Sequence, residues 1–252
     1  MPVANCLLLM TKYFKNVSLL TTTALVAINC QAISLDLVSI SGPNVASRGS
    51  LRFDGTTDSF SFLNVTAAGP TKGFSFTLTG SDGVGDSFGD FGTIDGIFKI
   101  GAITTVGTKQ TAPVTLLSGP STLTINDGAG FQLLGKIDWV EIFTDGTAGG
   151  LNSGGSINLK DITYGGSEMD LIALGNQATT SIQFGFGPGK SLNQLIANTT
   201  VYRGNTIPNV NTSSYTGDLS AVPPVPDSSS TSLLLGSAML ALACVRRKFT
   251  PA

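Results

Sequence analysis

The chain has 252 residues, 31 of them glycine and only 12% charged, with a net charge of −2 and no histidine. Without histidine there is no imidazole zinc ligand and no Ser-His-Asp triad. The cysteines are Cys6, Cys30 and Cys244, so residues 33–220 can form neither a disulfide nor a thiol site.

The first 32 residues read as a secretory signal. Lys12 and Lys15 precede the apolar run Val17–Ile28, and Asn29-Cys30-Gln31-Ala32 puts small residues at both positions before a cut after Ala32. The run is short for a membrane span of about 20 residues. The stretch Met1–Leu9 ahead of it is unusual, and a start at Met10 rather than Met1 would give a more ordinary signal.

Residues 33–220 form the body. They number about 190, which suits one all-β domain. Nine basic and fifteen acidic side chains leave the body at −6, which argues against nucleic acid or anionic lipid as its partner. Short alternating runs predict strands over Asp58–Val65, Gly73–Thr79, Phe91–Ile100, Ser121–Ile125, Phe131–Thr144, Ser156–Tyr164 and Thr179–Phe186. Asp54-Gly55, Asp82-Gly83, Asp95-Gly96, Asp127-Gly128 and Asp145-Gly146 punctuate them, a dipeptide that accepts the positive φ of tight turns. Glu168–Leu174 and Ser191–Ala197 suit a helical turn or two. The expected fold is all-β, an antiparallel β-sandwich with a jelly roll as one form, flanked by a short hydrophobic helix at each terminus.

Three places in the body hold candidate chemistry. Asp82, Asp86, Asp90 and Asp95 crowd one Gly-rich segment and could gather oxygen ligands for calcium, although their spacing fits no EF-hand loop; Gly/Asp turns capped by their own carboxylates are the plainer reading. In the run 131–144, strict alternation puts Phe131, Leu133, Ile137, Trp139 and Phe143 on one face, and Glu141 with them. Asp138 and Glu141 would then face opposite ways, poor geometry for acid/base work. Trp139, the only tryptophan, reads as core rather than as a sugar platform.

The C-terminal end has three parts in order. A Pro/Ser-rich linker, 221–231, contains Val225-Pro226-Asp227-Ser228; an apolar run follows from Ser232 to Val245; Arg246, Arg247 and Lys248 close it. Proline keeps the linker extended and out of the helix. The apolar run enters the bilayer, and the basic cluster stops it at the cytoplasmic side. Fourteen helical residues span about 21 Å against a hydrocarbon core of roughly 30 Å. Such a span is a poor permanent anchor, but it holds the Pro-Asp motif at the outer face. This arrangement resembles the PEP-CTERM family of bacterial sorting signals in its Val-Pro-Asp-Ser-Gly form, with Ser229 where that form has glycine. The resemblance covers the tail alone. It implies recognition by exosortase, an integral-membrane cysteine transpeptidase, with processing near the Pro-Asp motif.

The expectation is therefore an exported, non-catalytic β protein of the cell surface or extracellular matrix of a Gram-negative-type bacterium. It would be held transiently in the inner membrane, with exopolysaccharide or matrix as the body's partner and no cofactor beyond calcium. A carbohydrate-binding module, calcium-assisted, is the alternative, and a glycan-active enzyme a more distant one.

Overall fold

The computed structural model describes residues 33–146 and 150–222. The expected signal segment, the linker beyond Val222 and both terminal helices lie outside them. In chain order the described strands are β1 (Ser34–Ser39), β2 (Ser50–Asp54), β3 (Ser59–Leu63), β4 (Phe76–Ser81), β5 (Phe91–Ile100), β6 (Thr104–Val106), β7 (Lys109–Ala112), β8 (Val114–Asn126), β9 (Gln132–Asp145) and β10 (Gly150–Thr163). Helix α1 (Met169–Ala173) leads to β11 (Ala178–Phe186), and α2 (Leu192–Leu195) leads to β12 (Thr199–Tyr202), β13 (Asn205–Pro208), β14 (Val210–Ser213) and β15 (Tyr215–Ala221). Both helical turns stand where the sequence put them. Ser191 caps α2 through a reciprocal bond with Gln194.

The strands are antiparallel, as expected, but they do not pack as the two facing sheets of a sandwich: thirteen belong to one sheet, and β12 and β13 form a hairpin of their own. Eight of them close a ring in the order β5-β4-β1-β15-β11-β10-β9-β8, and β8 pairs back to β5. The ribbon β14-β2-β3 extends from the far half of β5, and β7-β6 from the far half of β9. The sandwich and jelly-roll expectation is thus corrected to an eight-stranded closed barrel with two side ribbons. Two facing glycines at a bend in β5 and β8 are the physical reason. Gly96 has φ 135° and Gly119 φ 81°, and the β5–β8 register slips there. A Cβ on Gly96 would lie 2.7 Å from the Pro120 carbonyl oxygen. The bend lets the last third of β8 pair with β5 on one side and with β9 on the other. Asp95-Gly96, read as a turn, is this mid-strand kink.

Alternation fills the interior. Leu35 and Leu37, Phe60 and Phe62, Phe76 and Leu78, and Ile182 and Phe184 all point inward. Their aromatic centre joins β2, β3 and β5 to β9, β11 and β15. The Phe60 ring lies 4.9 Å from Trp139, 5.5 Å from Phe98 and 5.6 Å from Phe53; Phe53 continues to Phe184 at 5.3 Å, and Phe62 meets Tyr215 at 5.0 Å. Trp139 is core, as expected.

One face assignment is overturned. The β9–β10 register slips between Trp139 and Glu141, so Val140 is an extra residue and the alternation reverses beyond it. Leu133, Ile137 and Trp139 face inward before the bulge, and Ile142 and Thr144 after it. Phe143 turns outward beneath the Lys109 ammonium, 4.8 Å away, and Phe131 is half exposed. Glu141 therefore leaves the core face and shares the outer one with Asp138, contrary to the strict-alternation reading. Asp138 is ion-paired with Lys160 at 2.5 Å.

Replacing Phe60 by alanine empties the middle of the aromatic cluster and is expected to cost about 3–5 kcal/mol. Urea unfolding followed by the emission of the sole tryptophan, which packs on that ring, measures the loss directly.

Candidate functional site

The acidic residues converge where the β4–β5 loop, the β8–β9 loop and the start of α1 meet. Ser81 to Asp90 carry too many glycines and carboxylates to form a strand, and α1 begins immediately after Glu168. The helix and the loop exchange carboxylates. Asp86 accepts the first amides of α1, from Met169 at 2.6 Å and Asp170 at 3.1 Å. Asp170, fully buried, accepts in return from the amides of Val84 (2.7 Å) and Gly85 (2.8 Å) and from the Ser87 hydroxyl (3.3 Å). Burial acts to raise its pKa, but the Ser81 hydroxyl, these two amides and Ser87 outweigh it and hold the carboxyl below its usual range.

Beside this clasp lies a second arrangement. Asp127 accepts the amides of Ala129 and Phe131, each at 2.9 Å, and the Tyr164 hydroxyl at 2.9 Å. Burial opposes its ionisation, but those donors win and keep it below the ordinary aspartate value. Tyr164 is pushed up to about 12, by burial first and then by its bond to the Asp127 carboxylate. No room remains around this bond, because a Cβ on Gly166 would lie 2.2 Å from the tyrosine oxygen.

Asp90 and Glu168 complete the corner. Asp90 Oδ2 and Glu168 Oε2 are both buried, and neither meets a donor among the described residues. Each side chain acts on the ionisation of the other, and a proton held between them would give these oxygens a partner. Burial raises both groups. Glu168 reaches about 8, helped by the hydrogen bond and charge of Asp90 and by the charges of Asp127 and Asp86.

Of the four calcium candidates, Asp86 and Asp90 come to this corner. Asp82 accepts the Ser34 amide at 2.6 Å, and Asp95 accepts the Thr93 hydroxyl at 3.0 Å on β5. Among the described residues no group of three or more carboxylates is placed to hold a metal ion. The partners the corner does use, Asp127, Tyr164, Glu168 and Asp170, were not singled out from the sequence. The only signal for them was local: an Asp-Gly turn, and two carboxylates bracketing a helix start. The corner offers proton exchange between carboxyls and helix capping. The sorting residues Val225, Pro226, Asp227 and Ser228, the stop Arg246, Arg247 and Lys248, and the cut site after Ala32 all fall outside the described residues.

A definite pH profile follows. Glu168 titrates near 4.5 when unfolded and near 8 when folded, so its contribution is full below pH 4.5 and drains as the pH climbs towards 8. Asp127 and Asp170 are lowered from 3.8, so theirs is present above that value and lost on acidification. Melting temperature is expected to peak in mild acid and to fall towards pH 8, and Glu168→Gln flattens the falling limb. A variant that melts in parallel with the parent at every pH rules out proton sharing.

No curated protein and no solved structure matches the chain. Among the described residues no helix is long and apolar enough to cross a membrane. Residues 224–249 match the VPDSG-CTERM motif. Signals of this type are generally processed by exosortase, a membrane enzyme. The chain carries a PEP-CTERM-like C-terminal sorting signal, which marks it as an exported bacterial protein of the cell surface.

Proposed function

We propose that the barrel is a non-catalytic display domain, exported to the envelope of a Gram-negative-type bacterium and released from its membrane tail into the surface or matrix. An exosortase-type transpeptidase processes it near Pro226-Asp227. The observation that carries this reading is the coincidence of three features within the 26 matched residues: the Val225-Pro226-Asp227-Ser228 elbow, an apolar run too short for comfortable residence in a bilayer, and the Arg246-Arg247-Lys248 stop. The body's composition supports the non-catalytic half, since no histidine or cysteine lies in residues 33–220. Its uncharged polar surface suits exposure outside the cell.

The double variant Pro226→Ala/Asp227→Ala is expected to accumulate as unprocessed precursor in the inner membrane, read by fractionation and intact mass. Normal processing and surface display of that variant would remove the basis for the reading, as would a mature parent protein that retains residues 232–248.

A further inference from the structure

We propose that the outer face of β4, β1, β15 and β11 is a binding trough for a neutral, hydroxyl-rich glycan chain. Two hollows, of about 480 and 350 Å³, have Val38 and Thr216 in common in their linings and so adjoin along β1 and β15, the larger reaching the β1–β2 connection. An elongated site of this kind suits a chain better than a single sugar.

The strand register sets out its floor. Asp36 pairs with Asp218, which pairs with Ser181; two residues along, Val38 pairs with Thr216, which pairs with Gln183. All six point away from the core, in rows about 4.8 Å apart across the strands. On the other side of β1, Asp36 pairs with Gly80 and Leu37 with Leu78, leaving Thr79 as an extra residue that bulges into the trough.

Two features of this face lack a structural reason. Like charges directly opposite on neighbouring strands are destabilising, and Asp36 and Asp218 are such a pair. Among the described residues no lysine or arginine lines that part of the trough, and Arg48 is the one basic lining residue, at the far end, where it holds the carbonyls of Gly42 and Pro43. Asp218 is bonded by the Ser181 and Ser220 hydroxyls, whereas the Asp36 carboxylate accepts no hydrogen bond among the described residues. Departures from stability rules of this kind concentrate at functional sites.

The ligand class follows from the chemistry. An open carboxylate beside serine, threonine and glutamine seeks donors in adjacent pairs, as the vicinal hydroxyls of a sugar supply them. A polyanion would be repelled by the aspartate pair. The one aromatic residue among those lining the two hollows, Tyr215, is buried with its ring against Phe62, so a flat apolar ligand finds no exposed ring there. The inference needs the barrel to be displayed outside the cell, as proposed above, but not any particular processing enzyme.

The test is calorimetric titration of the full-length protein with neutral hexasaccharides of glucose, xylose and mannose, with a uronate hexamer and calcium ion alone as separate arms. Saturable binding to at least one neutral series is expected, weakened about tenfold by Asp36→Ala and by Gln183→Ala. Both side chains are exposed, so Gln183→Ala should unfold with the parent, and Asp36→Ala, relieved of the facing aspartate, with it or slightly later. The proposal is overturned by absence of binding to all three neutral series, by equal binding in both variants, by preference for the uronate, or by a calcium response that Asp36→Ala abolishes. None of these outcomes touches tail processing, and a processing failure with glycan binding intact would leave the trough standing.

Discussion

Closure of the barrel depends on one bent strand. β8 is thirteen residues long, and its two ends do different things: the Val114 end pairs with β5 alone, while the Asn126 end is held between β5 and β9. The bend requires glycine at both Gly96 and Gly119, where the backbones meet closely and φ is positive. Were β8 straight, the run β5-β4-β1-β15-β11-β10-β9 would remain one open sheet, with β5 and β9 at its two ends. With the bend, main-chain hydrogen bonding runs around the ring, and only the two side ribbons end it. That matters for a body with no cysteine, which has core packing and strand pairing to hold it and no disulfide to restrict the unfolded chain.

The strands themselves were legible because alternation is a local signal. Phe91–Ile100 is a strand over the expected residues, and Asp58–Val65 and Thr179–Phe186 shift only at their ends. The barrel was not legible, because closure is decided by how residues far apart pair across a kink that the sequence shows only as one more Asp-Gly. Val140 shows the same limit at smaller scale. One extra residue, invisible in a pattern of apolar and polar letters, moves Phe143 and Glu141 to the other face. The discomfort of a glutamate placed among core residues was the trace of that bulge in the sequence.

The acidic corner was half legible for a related reason. Density of aspartate over residues 81–95 marked the right loop, but two of its four members face other partners, and the carboxylates that complete the corner arrive from positions 127, 168 and 170. What organises them is the supply of donors rather than a shared cation. Asp86, Asp127 and Asp170 each accept backbone amides, which help to hold Asp127 and Asp170 below the ordinary aspartate value, whereas the buried Asp90 and Glu168 oxygens meet no such donor. Strongly shifted groups often mark catalytic sites, but structural networks shift them equally well. The capping bonds give this corner structural work to do.

Topology ties the barrel to its address. β15 is the last described strand, and it closes the ring by pairing on one side with β1, the first, and on the other with β11. Ser34 sits opposite Ser220, so the ring is incomplete until nearly the whole body has been delivered. The sorting segment begins three residues after β15 ends. During export from the N-terminus, the strand that completes the fold therefore emerges immediately before the sorting segment, which on the proposed function pauses the chain in the membrane. A tail that passed straight through would give β15 no pause beside the surface, whereas a brief arrest keeps the newly completed strand set outside and at high local concentration. Tethering at that point favours the slow, long-range β1–β15 pairing over encounters between chains, which is the principal hazard for a β protein whose closing contact is also its most distant one in sequence.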